Sequence, residues 1–176
     1  MESRFKLVGH PLHPMIVPLP LMAFPASLLF DLLHLLTKDE KWRRLAFWHI
    51  AAGVIGGLAA AAPGLVDWLA IPPSSPAKKV GLAHMLLNLG IIGLYGAHLV
   101  ERKRREARFQ ESPGLRAGII GNAILNISAW LGGELVYRHS IGVEGPEKPI
   151  EMIALRPKVR LWEKSAGTID SRARMG

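Results

Sequence analysis

The chain reads as an all-α, polytopic membrane protein: a four-transmembrane-helix bundle with both termini on the periplasmic side and a short polar C-terminal tail. Three observations predict this class. Of its 176 residues 49% are hydrophobic, and the mean hydropathy is positive. Four apolar runs follow one another, each close to the ~20 residues that cross a ~30 Å hydrocarbon layer. Lys and Arg gather in two of the short loops between the runs, as a cytoplasmic membrane face requires. The runs lie at about 14–36, 45–71, 80–100 and 115–137, giving a transmembrane domain over 1–143 and a tail over 144–176.

Composition excludes several functions. With no cysteine, the chain has no disulfide, thiolate iron–sulfur ligation, covalent c-type haem or cysteine nucleophile. The net charge of +8 would suit nucleic acid in a soluble protein, but loop placement accounts for it here, and no nucleic-acid partner is expected. The first apolar run exceeds a signal h-region and lacks a small-residue cleavage site, so it is expected to remain a membrane helix.

The first element follows Gly9-His10-Pro11-Leu12-His13-Pro14. Pro11 and Pro14 push the residues before them out of the helical region, which places His13 just before the helix proper. Pro18, Pro20 and Pro25 then predict a kinked helix. Asp31 and His34 share a face near its far end, and a carboxylate inside an apolar run is expected to face the bundle interior or a basic partner. The loop Thr37–Arg44 carries Lys38, Lys41, Arg43 and Arg44.

The second element opens with the interfacial rings Trp42, Phe47, Trp48 and His49. Gly53, Gly56, Gly57 and an alanine series then allow close helix approach. Pro63-Gly64 bends it, and Asp67 and Trp68 mark its exit. The third carries His84, Asn88 and His98, and is followed by the most basic segment, Glu101–Arg116. The fourth holds Asn122, Asn126 and Ser128, then Glu134, Arg138 and His139. Glu134 and Arg138 are spaced as a plain intrahelical ion pair. Some alternation around Met152–Trp162 suggests a strand or hairpin in the tail. No internal repeat or low-complexity tract stands out.

Charge sorts these residues by depth. The loops Thr37–Arg44 and Glu101–Arg116 hold ten Lys and Arg; the N-terminal arm and Ile71–Lys79 hold two each. The positive-inside rule puts the two basic loops in the cytoplasm of a bacterial cell, and the protein in its inner membrane. His10, His13, Asp67, His84, Glu134 and His139 then form an outer set, and Asp31, His34, His49 and His98 an inner one.

Neutral imidazole is the usual axial ligand of b-type haem in helical bundles. His84 and His98, fourteen residues apart, lie ~21 Å apart along one helix with ~40° of drift. That separation suits two stacked haems. His13 is expected to meet His84 at the outer layer, with His10 or His139 as substitutes, and His34 or His49 to meet His98 at the inner layer. The alternative cofactor is a divalent metal ion, or a proton relay, at the outer mouth, drawing on His10, His13, His84, His139, Asp67 and Glu134. No nucleotide loop, serine triad or glycosidase carboxylate pair appears, so no catalytic residue is assigned and enzyme activity is left open.

Four motifs carry a resemblance. Gly9-His10-Pro11-Leu12-His13-Pro14 with its proline-containing helix, Gly64-Leu65-Val66-Asp67-Trp68, His84 early in the third helix, and the run Trp130–His139 together resemble the bacterial membrane proteins classed as domain of unknown function 2231. The resemblance covers about residues 6–143 and implies a four-helix membrane domain with no established activity. In architecture alone the chain is also similar to small two-haem membrane cytochromes b. His34, His49 and His98 fall outside the recognised motifs. The leading expectation is b-type haem binding for transmembrane electron transfer; a metal or proton site, and an accessory subunit of a larger membrane complex, stand beside it. Expected partners are the lipid bilayer, a redox protein or larger complex, and a second copy in a homo-oligomer.

Overall fold

A computed structural model describes residues 1–106 and 114–143. The chain divides into a unit Met1–Gly145 and a unit Pro146–Gly176. The second, including the strand or hairpin expected around Met152–Trp162, lies outside the described residues.

A small hairpin opens the chain. Strands β1 (Lys6–Leu7) and β2 (His10–Pro11) pair antiparallel. Between them Val8 and Gly9 take φ of 51° and 82°, the two left-handed residues that a type I′ turn requires. The first span is α1 (Leu12–Ile16) followed by α2 (Pro18–Thr37), broken at Val17. His13 therefore sits inside a helix, not ahead of one. Pro14 is the third residue of α1, where a backbone N–H has no intrahelical acceptor, so proline removes no hydrogen bond. Pro18 opens α2 for the same reason.

The remaining helices are α3 (Glu40–Ala70), α4 (Pro76–Glu106) and α5 (Gly114–Gly133), the last running on into a π-helical turn, Glu134–Arg138. Among the described residues, four segments are long and apolar enough to cross a membrane: Leu12–Thr37, Glu40–Ala70, Pro76–Arg105 and Gly114–Arg138. Two helices outrun the apolar stretches that announced them. The charged ends Glu40–Arg44 and Glu101–Glu106 stay helical, because hydropathy marks where lipid ends and not where backbone hydrogen bonding does.

The turns are closed by local chemistry. Lys38 adopts the left-handed conformation and donates its N–H to His34 O at 2.8 Å. Asp39 then caps α3 by accepting from the Lys41 N–H at 2.9 Å. Hydrogen bonds from the Lys41 side chain and backbone hold the exposed Asp39 carboxyl below its ordinary range. Between α3 and α4, Lys78 Nζ lies 3.8 Å over the Trp68 ring and donates to Trp68 O, while the indole N–H donates back to Lys78 O.

Helices α2 and α4 each pack on both α3 and α5, so α2 and α4 face one another along a diagonal. The core joins Phe24, Ile50, Ile91, Tyr95 and Leu125. On α5 the buried positions Gly114, Gly118, Gly121, Leu125 and Ser128 recur in steps of four and three, the seam of a left-handed bundle. Large apolar side chains such as Met22 and Ile55 point outward. In lipid that outward face gains nothing by burial, so helix association rests on close packing and interior polar contacts.

Candidate functional site

Along the bundle axis, three residues of α1–α2 and three of α4 meet in layers, and glycines of α3 and α5 lie against them. His13, Phe24 and Asp31 are eleven and seven residues apart, ~16 and ~10 Å along a helix, and the full eighteen make five turns. They form one stripe. His84, Tyr95 and Arg102 have the same spacing on α4. The stripes meet across the diagonal in three layers. The His13 and His84 rings meet edge to face with centroids 6.5 Å apart. Phe24 and Tyr95 stack at 4.0 Å and 5°. Asp31 and Arg102 form a buried ion pair.

The histidine layer is built twice from the same parts. His13 Nδ1 lies 2.8 Å from the carbonyl oxygen of Ala60, and His84 Nδ1 lies 2.8 Å from that of Ser128. A carbonyl can only accept, so Nδ1 carries the proton in each ring, and in the neutral imidazole Nε2 keeps its lone pair. Access to each carbonyl comes from a glycine one turn further on. A Cβ on Gly64 would stand 2.9 Å from His13 Cε1, and a Cβ on Gly132 would stand 3.1 Å from His84 Cε1. Asn88 completes the layer: its amide nitrogen reaches Ser128 Oγ at 2.8 Å and His84 Nε2 at 3.1 Å.

The rest of the outer set is engaged elsewhere. Asp67 is buried, and its carboxylate accepts from Ser3 Oγ at 2.8 Å and from the Arg4 N–H at 2.9 Å. It therefore ties down the N-terminal arm, whose first residue bonds to Ser140 and Gly142. Glu134 pairs with Arg138 at 2.7 Å, the intrahelical ion pair its spacing suggested. His10 is exposed in β2, and His139 ends the π-helical turn. Among the described residues no three His, Asp or Glu side chains gather as a metal-ligand set. What the structure brings together is the pair His13 and His84.

The inner set is differently arranged. Asp31 has the basic partner its position demanded. Arg102 binds it through one nitrogen and donates Nε–H to His98 Nε2 at 2.8 Å, so His98, Arg102 and Asp31 form a buried triad. His34 Nδ1 lies 3.1 Å from Asp39 O, and His49 Nδ1 lies 2.8 Å from Leu45 O with its ring edge-on to Phe30. These three histidines have three separate settings. A Cβ on Gly114, the first residue of α5, would fall within 3 Å of both Arg102 and Asp31.

Sequence reasoning overlooked the middle and lower layers as a set. The signal was present: a histidine, an aromatic ring eleven residues on and a charge seven further, written once in each of two helices. A family model described as "Predicted membrane protein (DUF2231)" matches residues 9–145. No curated protein and no solved structure matches the chain.

Proposed function

The chain belongs to the DUF2231 family of membrane proteins, and from that premise we propose that His13 and His84 are the two protein ligands of a b-type haem used for electron transfer. One observation carries the reading: two imidazoles meet edge to face across the bundle, each with Nδ1–H committed to a backbone carbonyl. Metal-ligating histidines almost always have their second nitrogen fixed in this way, which sets the tautomer and orients the ring. The separation also suits the role. The two ring centroids lie 6.5 Å apart, so one group held between them would touch both rings. Haem would supply a one-electron couple; His13 and His84 would hold it, and Gly64 and Gly132 let the two rings lie close to α3 and α5.

The four spans contact the lipid bilayer. The positive-inside rule supports placing the basic turns in the cytoplasm and the histidine end at the periplasmic face of a bacterial inner membrane. A redox protein would then meet the chain at that face.

The contact between the Asn88 amide and His84 Nε2 favours a second reading, a proton-relay or non-haem metal site in which Asn88 polarises His84. Absorption spectra of the detergent-solubilised protein, oxidised and dithionite-reduced, decide between them. A Soret band present in the parent and in His49→Ala, but absent in His13→Ala and His84→Ala, supports haem ligation by the pair. A featureless spectrum from folded protein expressed with haem available refutes it, and elemental analysis then tests the second reading.

A further inference from the structure

We infer that the four-helix domain is two copies of one helical hairpin closed around a pseudo-two-fold axis, with His13 and His84 as one residue seen twice. The evidence is a constant offset. His13 and His84, Phe24 and Tyr95, and Asp31 and Arg102 are each 71 residues apart, and each pair meets directly. On the second helix of each hairpin the offset is 68. His13 lies against Gly64 and the Ala60 carbonyl, and His84 against Gly132 and the Ser128 carbonyl. Phe24 lies against Gly53, and Tyr95 against Gly121. Three contacts thus repeat in kind and register, and α2 stands to α3 as α4 stands to α5. Both copies run in the same direction, so the axis lies along the bundle, parallel to the membrane normal.

Two such hairpins bury their histidines, rings and charges only against a partner built like themselves. Each hairpin is therefore the other's docking surface, and any ligand of His13 and His84 sits on the axis with half its site in each copy. Along that axis the pairs have diverged unequally. The histidines are unchanged and the rings differ by one hydroxyl. The lower pair has become opposite charges. Two first hairpins would set Asp31 against Asp31, and two second hairpins Arg102 against Arg102; only unlike halves bring Asp to Arg. The ion pair is the element that makes the hairpins choose each other within one chain, because either like pairing would bury two equal charges. Its surroundings diverged with it. Ser27 is the counterpart of His98, which accepts from Arg102. Ala46 is the counterpart of Gly114, which leaves room for the arginine.

The test exchanges the lower layer between the hairpins of the full-length protein. Asp31→Arg or Arg102→Asp alone sets like charges in the interior, and each is expected to lower the melting temperature in detergent by about 10 °C or more. The six-fold exchange S27H, D31R, A46G, H98S, R102D and G114A moves the whole layer across the axis. It is expected to melt within a few degrees of the parent and to elute with it on size exclusion. Single variants as stable as the parent would overturn the lock. A six-fold variant that does not recover, including one that fails to accumulate as folded protein, would overturn the equivalence of the hairpins. The readout is melting and elution, so neither outcome depends on haem being the ligand.

Discussion

Gly53→Ala adds one methyl group where the structure leaves no room for it. The new Cβ would stand 2.5 Å from Phe24 Cε1, against the 3.4 Å of an ordinary contact, so about 0.9 Å must be found. Phe24 cannot supply it by swinging away. Its other face is stacked on Tyr95 at 4.0 Å, and a Cβ at Gly121 would in turn stand 2.5 Å from Tyr95 Cε2. Overpacking of this kind costs ~1–3 kcal/mol, and a confined stack belongs at the upper end. Alanine returns ~1 kcal/mol of helix propensity. The net loss is then about 2 kcal/mol for Gly53→Ala and the same for Gly121→Ala, or ~4–8 °C in melting temperature for a chain of this size. Gly93→Ala is the control, because no atom lies within 4 Å of its Cβ and only propensity should act. Tryptophan fluorescence followed through a thermal ramp in detergent reads all three. The double variant, squeezing one stack from both sides, should lose more than the sum of the singles. Melting of Gly53→Ala at or above the parent, or equal damage from Gly93→Ala, would refute the reasoning.

Three further outcomes follow from separate contacts. Gly64→Ala and Gly132→Ala leave both histidines in place but push on the rings, so each should weaken retention of the haem proposed for the pair, read as Soret intensity per protein, while the helices stay folded. Asp67→Ala removes the acceptor of Ser3 and Arg4; unsatisfied buried groups cost about 1–3 kcal/mol. Deuterium uptake at residues 1–6 should rise well before that in α3, and unchanged uptake would show that the carboxylate is not the clamp. Asp39 acts through pH. Its carboxyl is depressed below the ordinary 3.8, so the capped anion contributes stability above 3.8 that is lost as pH falls through the folded value. Asp39→Ala should therefore flatten the acid limb of a melting-temperature profile taken from pH 5 down to 2, with little change in shape at higher pH.

The number and order of the helices were legible because a span needs an unbroken apolar run and the chain supplies four. The demand for a partner at Asp31 was legible too, since an isolated carboxylate in hydrocarbon is too costly to stand alone. Glu134 and Arg138 were legible from spacing. What escaped was register. The inner layer imagined from His34, His49 and His98 rested on a helical period that puts residues on one face without saying what else that face meets; Arg102, one turn beyond His98, takes its nitrogen first. The repeat escaped for a chemical reason. Of the three axial pairs only the histidines are identical; Phe and Tyr differ in type, and Asp and Arg are opposites. The glycines that hold the register resemble the small residues of any membrane helix. Only contact shows that Gly53 and Gly121 do the same thing. His13 was misplaced because proline was read as a breaker where it is harmless.

The ion pair between Asp31 and Arg102 also has a history in time. Asp31 is synthesised 71 residues before Arg102, roughly 4–14 s earlier at ~5–20 residues per second. Within that interval α3 ends at Ala70 and completes the first hairpin, while the Asp31 carboxylate still lacks Arg102 and is costly to bury alone. Asp31 lies only six residues from the end of α2, shallow enough for a half-inserted hairpin to leave it in water at the headgroups. Arrival of α4 removes that reason to wait. The side chain that joins the two halves is thus also the one whose burial has to await its partner.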